Sequence, residues 1–214
     1  MQDNITSKEK ILKKIRKALI HKSLQEVKDV DKESEIFFDA EEDLEIQFAQ
    51  HFSAVNGNFI FCENDSRFIE NFQLFITENN WENLFCLEPE LKSILKKGSI
   101  LFSDQESKLL ETNIGITFCE CLIARTGSII LSSKQLSGRR LAAYANIHIV
   151  IAYTSQLKLH LKDGFKYIRE KYSNQFPSMI TTITGPSKTA DIEKTLVQGA
   201  HGPKEIFVFL IDDI

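Results

Sequence analysis

The sequence predicts an α/β fold built on a mostly parallel sheet, and three observations carry that reading. From residue 41 onward, short β-branched or aromatic runs alternate with longer segments whose apolar residues recur at helical spacing. Such alternation implies parallel strands joined by crossover helices, with both faces of the sheet covered. The stretch from Met179 to Ile214 carries its own punctuation. An apolar run to Thr184 is followed by Gly185-Pro186-Ser187, a segment from Lys188 to Glu193, then Gly199-Ala200-His201-Gly202-Pro203 and a second apolar run from Glu205 to Ile211. That order reads as strand, helix, strand.

Taken from the start, Ser7 is the expected N-cap of a helix carrying Ile11, Leu12, Ile15, Ala18 and Leu19 on one face, with lysines on the other. Glu26 to Glu35 is rich in charge and poor in apolar residues. Residues 1–40 are therefore expected to be an N-terminal helix and charged linker, and residues 41–214 the α/β domain. Residues 41–54 place Leu44, Phe48 and Phe52 in helical register, Gly57 breaks the run, and Phe59 to Cys62 form a strand. Residues 66–78 carry a stripe of Phe68, Phe72, Phe75 and Ile76, which reads as core. Leu84 to Leu87 and Ser99 to Phe102 read as strands on either side of a short helix over 89–96. Asn113 to Thr117, Cys121 to Ala124 and Ser128 to Ser132 are β-type runs, the last two separated by Thr126-Gly127. Leu141 to Ala145 leads into a strong strand at Ile147 to Ala152, within which His148 is expected as a core histidine. Residues 155–172 read as mostly helical, with Gly164 the weak point.

A chain of 214 residues is long enough for one sizeable core, and 43% hydrophobic with 26% charged residues is ordinary for a globular protein. A net charge of −4 argues against a general nucleic-acid binder. No apolar run approaches the roughly 18 residues of a membrane helix. Asp3, Lys8, Glu9 and Lys10 interrupt any apolar signal-like stretch, so the cytoplasm is the expected location. Cys62, Cys86, Cys119 and Cys121 form no C-x-x-C pair and no closely spaced set for a cluster or structural zinc. Buried thiols are expected, with Cys119 and Cys121 sharing one face of a strand.

Three loops have the chemistry of an anion site, and ligands of open α/β sheets bind outside the carboxyl ends of the strands. The first is Arg125-Thr126-Gly127-Ser128, a glycine turn flanked by hydroxyls and a guanidinium. The second runs from Ser132 to Ser137-Gly138-Arg139-Arg140, whose guanidiniums can fork onto a carboxylate or phosphate. The third is Gly185-Pro186-Ser187, with Ser187 or Thr189 as the N-cap of the expected helix and Asp191 in its first turn. These loops are expected to converge at one rim of the sheet. His201, held in a glycine- and proline-rich loop, is a candidate acid–base or orienting group. G-x-S-x-G, H-E-x-x-H, G-x-G-x-x-G and P-loop patterns do not occur, so the sequence does not point to the chemistries they serve.

The combination Ile183-Thr184-Gly185-Pro186-Ser187-Lys188-Thr189-Ala190-Asp191-Ile192-Glu193, followed by Gly199-Ala200-His201-Gly202-Pro203 and a terminal apolar strand, resembles the LUD domain, the lactate-utilisation protein C family. Upstream, Gly115-Ile116-Thr117, Ile123-Ala124-Arg125-Thr126-Gly127-Ser128, Gly138-Arg139 and Ile147-His148-Ile149 follow the same order, so the resemblance covers roughly residues 41–214. It implies a three-layer α/β/α fold similar to the sugar-phosphate isomerase and CoA-transferase group. It also implies a part in oxidising L-lactate, or a related 2-hydroxy acid, to pyruvate alongside iron–sulfur partner proteins. Clusters are expected on those partners only, with no cofactor in this chain. The other functions considered are a stand-alone enzyme acting on a phosphorylated or CoA-linked small anion, and a scaffold or regulator docking through its N-terminal helix. Two positions depart from the family pattern: Arg125 stands where an acidic residue is common, and Ala145 where proline is common; the resemblance makes Glu120, just upstream, the candidate for that acidic position and a second catalytic candidate beside His201.

Overall fold

The computed structural model describes residues 42–190, 196–199 and 202–213, together with Lys13, Phe37, Asp39 and Ala40. The chain divides into two units, Met1–Phe38 and Asp39–Ile214. The helix expected after Ser7 lies outside the described residues.

The larger unit is built on a five-stranded parallel sheet in the order β1-β11-β6-β3-β2. Its strands are β1 (Asn58–Cys62), β2 (Leu84–Cys86), β3 (Ile114–Phe118), β6 (Ile147–Tyr153) and β11 (Glu205–Ile211). The interior strands β6 and β11 are apolar at nearly every position because both faces are covered. On β11, Phe207, Phe209 and Ile211 face one way, packing with Phe68 and Phe72 of helix α2 (Asp65–Glu78) and with Leu91 and Leu95 of α3 (Pro89–Lys97). Ile206, Val208 and Leu210 face the other way, where Phe48 and Phe52 of α1 (Leu44–Ala54) share the cover with a second sheet. The phenylalanine stripe is thus core, with Phe68, Phe72 and Phe75 each meeting Phe209 edge-on at ring distances of 5.3–5.6 Å.

That second sheet is four-stranded, in the order β7-β4-β5-β8: β4 (Cys121–Ile123), β5 (Ser128–Ser132), β7 (Leu157–Lys158) and β8 (Ile180–Ile183). Leu122, Ile129 and Leu131 point toward the parallel sheet, whereas Cys121, Ile123 and Ile130 meet Ile168 of α5 (Leu161–Lys171) on the outside. A Cβ on Gly164 would come 2.8 Å from the Ile123 side chain, so this glycine lets α5 lie close to β4. Helices therefore flank the parallel sheet on both faces, in an α/β arrangement, and the second sheet lies between it and α5.

Several expectations are corrected. The described residues after Gly185 form strands where a helix was expected: β9 (Lys188–Ala190) pairs antiparallel with β10 (Leu196–Gln198), with Thr189 opposite Val197. Thr189 and Val197 are β-branched and suit a strand, and the pairing gives the backbone groups partners. Ser187 and Thr189 consequently cap no helix. Asp191 and His201 lie outside the described residues. The run Ser99 to Phe102 forms no strand; only Ser103 bridges to Phe85, because the chain leaves α3 through Gly98 and a left-handed Ser99 (φ 52°). The helix expected over 155–172 begins at Leu161, after β7, where His160 and Asp163 form the cap. Cys119 and Cys121 face opposite sides of the small sheet, since β4 starts only at Cys121 and the turn at Glu120 breaks the alternation.

His148 is fully buried on β6, with Nε2 bonded to Thr117 Oγ1 at 2.9 Å and Nδ1 without a hydrogen-bond partner. Burial lowers its pKa from 6.5 to about 4. The unfolded chain therefore takes up this proton first as pH falls below 6.5. Stability present above that value should decline toward pH 4 by about 3 kcal/mol. Urea midpoints measured across that window should show the slope in the wild type, and a markedly flatter one in His148→Phe.

Candidate functional site

The geometry of β5 separates the loops expected to meet. Arg125, Thr126 and Gly127 precede this strand; Ser132 ends it, and Gly138 and Arg139 follow in the next turn. Four strand steps of about 3.3 Å put some 13 Å between Ser128 and Ser132.

At the first end, Thr126 Oγ1 and Thr184 Oγ1 both bond Ser128 Oγ, at 2.7 and 2.8 Å. The first and third loops therefore do come together. A Cβ on Gly127 (φ 56°) would fall 2.4 Å from the Phe52 nitrogen, and one on Gly185 (φ 74°) 2.2 Å from the Val55 carbonyl oxygen. Both glycines let their loops close on the C-terminal end of α1, which leads into the start of β1. This cluster accordingly lies at the amino edge of the parallel sheet. The Ser187 amide donates to Pro203 O at 2.9 Å, while Pro186 is buried. Arg125 is exposed on the turn Ala124–Thr126.

At the other end, Gly138 folds against Ser132, and the exposed Arg139 donates to Ser178 Oγ. The expected single rim gathering residues 126, 139 and 186 is thus corrected: β8 runs antiparallel to β5, so the carboxyl end of β8 carries Gly185 away from Arg139. Ala145 is buried beside Gly115, where a Cβ on the glycine would come 3.0 Å from that of Ala145.

Ser132 belongs to the carboxyl rim of the parallel sheet, where ligands of such sheets bind. Its hydroxyl donates to Glu120 Oε1 at 2.5 Å, Tyr172 OH donates to the same oxygen at 2.9 Å, and Lys171 Nζ pairs with Oε2 at 2.8 Å. Glu120 is fully buried, so three donors replace its water. Burial alone would lower the pKa of Lys171, but the hydrogen bond and charge of Glu120 hold it above the ordinary lysine value. This carboxylate ties the end of β3 to β5 and to the end of α5.

Beside it lies a cleft of about 470 Å³ walled by Glu88, Phe118, Lys134, Tyr153, Lys171 and Tyr172. Glu88 stands at the N-cap of α3 without capping it; its Oε2 instead accepts the Ser137 hydroxyl at 2.8 Å, and Oε1 has no hydrogen-bond partner. Burial raises the Glu88 pKa, partly offset by Ser137. Tyr153 is likewise pushed up to about 12 by burial and by Asp65, so it remains a donor at neutral pH. Gln135 and Gln156 brace the floor by donating to Phe118 O and Cys119 O, at 2.9 and 2.8 Å. The arrangement offers two ammonium groups, a buried carboxyl and a small apolar wall.

Of these groups, the sequence pointed to Ser132, Ser137 and Glu120. Lys134 lay inside the second expected loop without being singled out, and Glu88, Tyr153, Lys171 and Tyr172 gave no sign. Glu88 and Tyr153 could have been found from their place at or just after the carboxyl ends of β2 and β6. Among the described residues no group of three or more His, Cys, Asp or Glu could hold a metal ion. No described helix is long and apolar enough to cross a membrane.

Gly138 offers a test of this end of β5. An added Cβ would lie 1.8 Å from Ser132 O, a backbone atom that cannot move aside without disturbing Glu120. Gly138→Ala should cost about 2 kcal/mol in chemical denaturation, whereas Arg139→Ala should cost well under half of that.

Residues 5–211 match the LUD domain. Lactate utilization protein C of Bacillus subtilis is 36% identical over 108 residues, 50% of this chain and 45% of that protein. Its counterpart in Geobacillus thermodenitrificans is 29% identical over 166 residues, 77% of this chain and 67% of that protein. The matched segments thus span roughly half to two thirds of the curated relatives. The crystal structure of a DUF162 family protein from Deinococcus radiodurans superposes with a TM-score of 0.59 at 16% identity, over 78% of this chain and 96% of that one, which shows a shared fold. With its family match covering nearly the whole sequence, this chain belongs to the LUD domain family.

Proposed function

We propose that this chain serves lactate utilisation, supporting the oxidation of L-lactate, or a related 2-hydroxy acid, to pyruvate together with iron–sulfur partner proteins in the cytoplasm. The observation that carries this reading is the LUD domain match over residues 5–211, joined by relatives named lactate utilization protein C. The cleft at the carboxyl rim supports it, since its two lysines suit a carboxylate. Cysteine spacing supports placing clusters on partners: Cys62, Cys86, Cys119 and Cys121 form no closely spaced set of the kind that ligates a cluster.

The test is a tagged full chain recovered from cells grown on L-lactate, with iron and acid-labile sulfide measured in what it retrieves. Co-purified iron–sulfur protein and loss of growth on lactate in a deletion strain are expected. Normal growth of that strain, with no iron–sulfur protein retrieved, would end the proposal.

A further inference from the structure

We propose that the carboxyl-rim cleft binds a 2-hydroxy monocarboxylate in one orientation, its carboxylate at Lys134 and Lys171 and its hydroxyl on Glu88. The inference rests on the lactate-utilisation reading and adds to it a site and a means of recognition. Glu88 is only 8% exposed, yet Oε1 lacks a partner while Oε2 accepts from Ser137. A buried carboxyl oxygen with no partner is uncommon, and Glu88, the residue that carries it, is part of the cleft wall.

The neighbouring polar groups are already committed. The Gln135 and Gln156 amides donate to main-chain carbonyls, and Tyr172 to Glu120. Each lysine, by contrast, spends one of its three hydrogens on a bond shown here: Lys134 on Gln175 Oε1 at 3.1 Å, and Lys171 on Glu120 Oε2. Both ammonium groups keep donors for a carboxylate, and Phe118 and Pro89 give an apolar wall for a short alkyl group. Recognition of the hydroxyl follows from the lone oxygen. A site built to hydrogen-bond a substrate hydroxyl rejects the analogue that lacks it, because its own polar group is then left unpaired.

Propionate has the carbon skeleton of lactate without the hydroxyl, which makes it the decisive probe. Calorimetric titration of the full chain should give L-lactate an affinity at least about tenfold above propionate. Glu88→Leu should erase that preference, while Lys134→Met should weaken both acids alike and preserve it. Amide shifts in the wild type should map lactate to the segments around Glu88 and Lys134, a measurement that needs no variant to fold. Equal binding of the two acids, no binding at millimolar concentration, a preference surviving in Glu88→Leu, or shifts mapped elsewhere would each overturn the site. The pathway role fails separately. Hydroxy-acid binding with normal growth of the deletion strain would remove that role and leave the site; lost growth with an empty titration would do the reverse.

Discussion

Lys171→Met should be among the most damaging substitutions in this fold, costing about 3 kcal/mol in chemical denaturation. Its partner Glu120 has no exposure although Lys171 itself is 41% exposed, and among the described residues the ion pair at 2.8 Å is the one that brings a full positive charge to Glu120. Removing the ammonium leaves a buried carboxylate supported by the Ser132 and Tyr172 hydroxyls alone, which places the loss at the lower end of the range for broken buried pairs. Two controls isolate the cause. The double variant Lys171→Met/Glu120→Gln should be more stable than Lys171→Met alone, since the neutral amide no longer needs a cation. Lys171→Arg, which keeps a positive charge at this end of the helix, should lose less than Lys171→Met. A double variant as unstable as the sum of the singles would mean that Lys171 matters through its packed methylenes instead. Its stem lies near two aromatic rings, with Nζ 5.6 and 5.4 Å from the Tyr167 and Tyr172 centroids.

Phe209→Ala should cost more still, about 4 kcal/mol by thermal or urea unfolding. Phe209 sits on β11, the strand between β1 and β6, and its ring is met by Phe68, Phe72 and Phe75. Those three rings stand on one helix, which cannot move toward the sheet without also displacing Phe207 and Trp81, stacked edge-on at 5.1 Å. The cavity therefore stays largely open, and its cost adds to the lost transfer free energy. Phe209→Leu, which fills most of the space, should cost less than half as much. The strand also ends at the rim, where Asp213 accepts from the Ser155 amide and the Thr154 hydroxyl at 2.9 and 2.8 Å. Ligand binding in the cleft should then weaken in step with stability in Phe209→Ala, and recover in Phe209→Leu.

Much of the parallel sheet was legible along the chain. β11 was expected over the residues it occupies, and α1, α2 and α3 lie within two or three residues of their expected bounds. The reason is local. Strands buried on both faces must be apolar without interruption, and helices laid on them must repeat every three or four residues, so both patterns are written in neighbouring residues. The segment after Gly185 was misread because a glycine–proline turn precedes helices and hairpins alike. Which follows depends on a pairing with Leu196–Gln198 several residues on.

The site was less legible for the same reason turned around. Glu120 and Ser132 are twelve residues apart in sequence, but their partners Lys171 and Tyr172 are 51 and 52 residues from Glu120, and Glu88 reaches Ser137 across 49. Residue types alone determined the α/β class, the apolar core stripes, the glycine turns and the family. Only the tertiary structure decided which rim each loop reaches, because the antiparallel course of β5 and β8 sends Gly127 and Gly185 to the amino edge and Ser132 to the carboxyl edge. Strand direction is set by long-range pairing, and no run of neighbouring side chains encodes it.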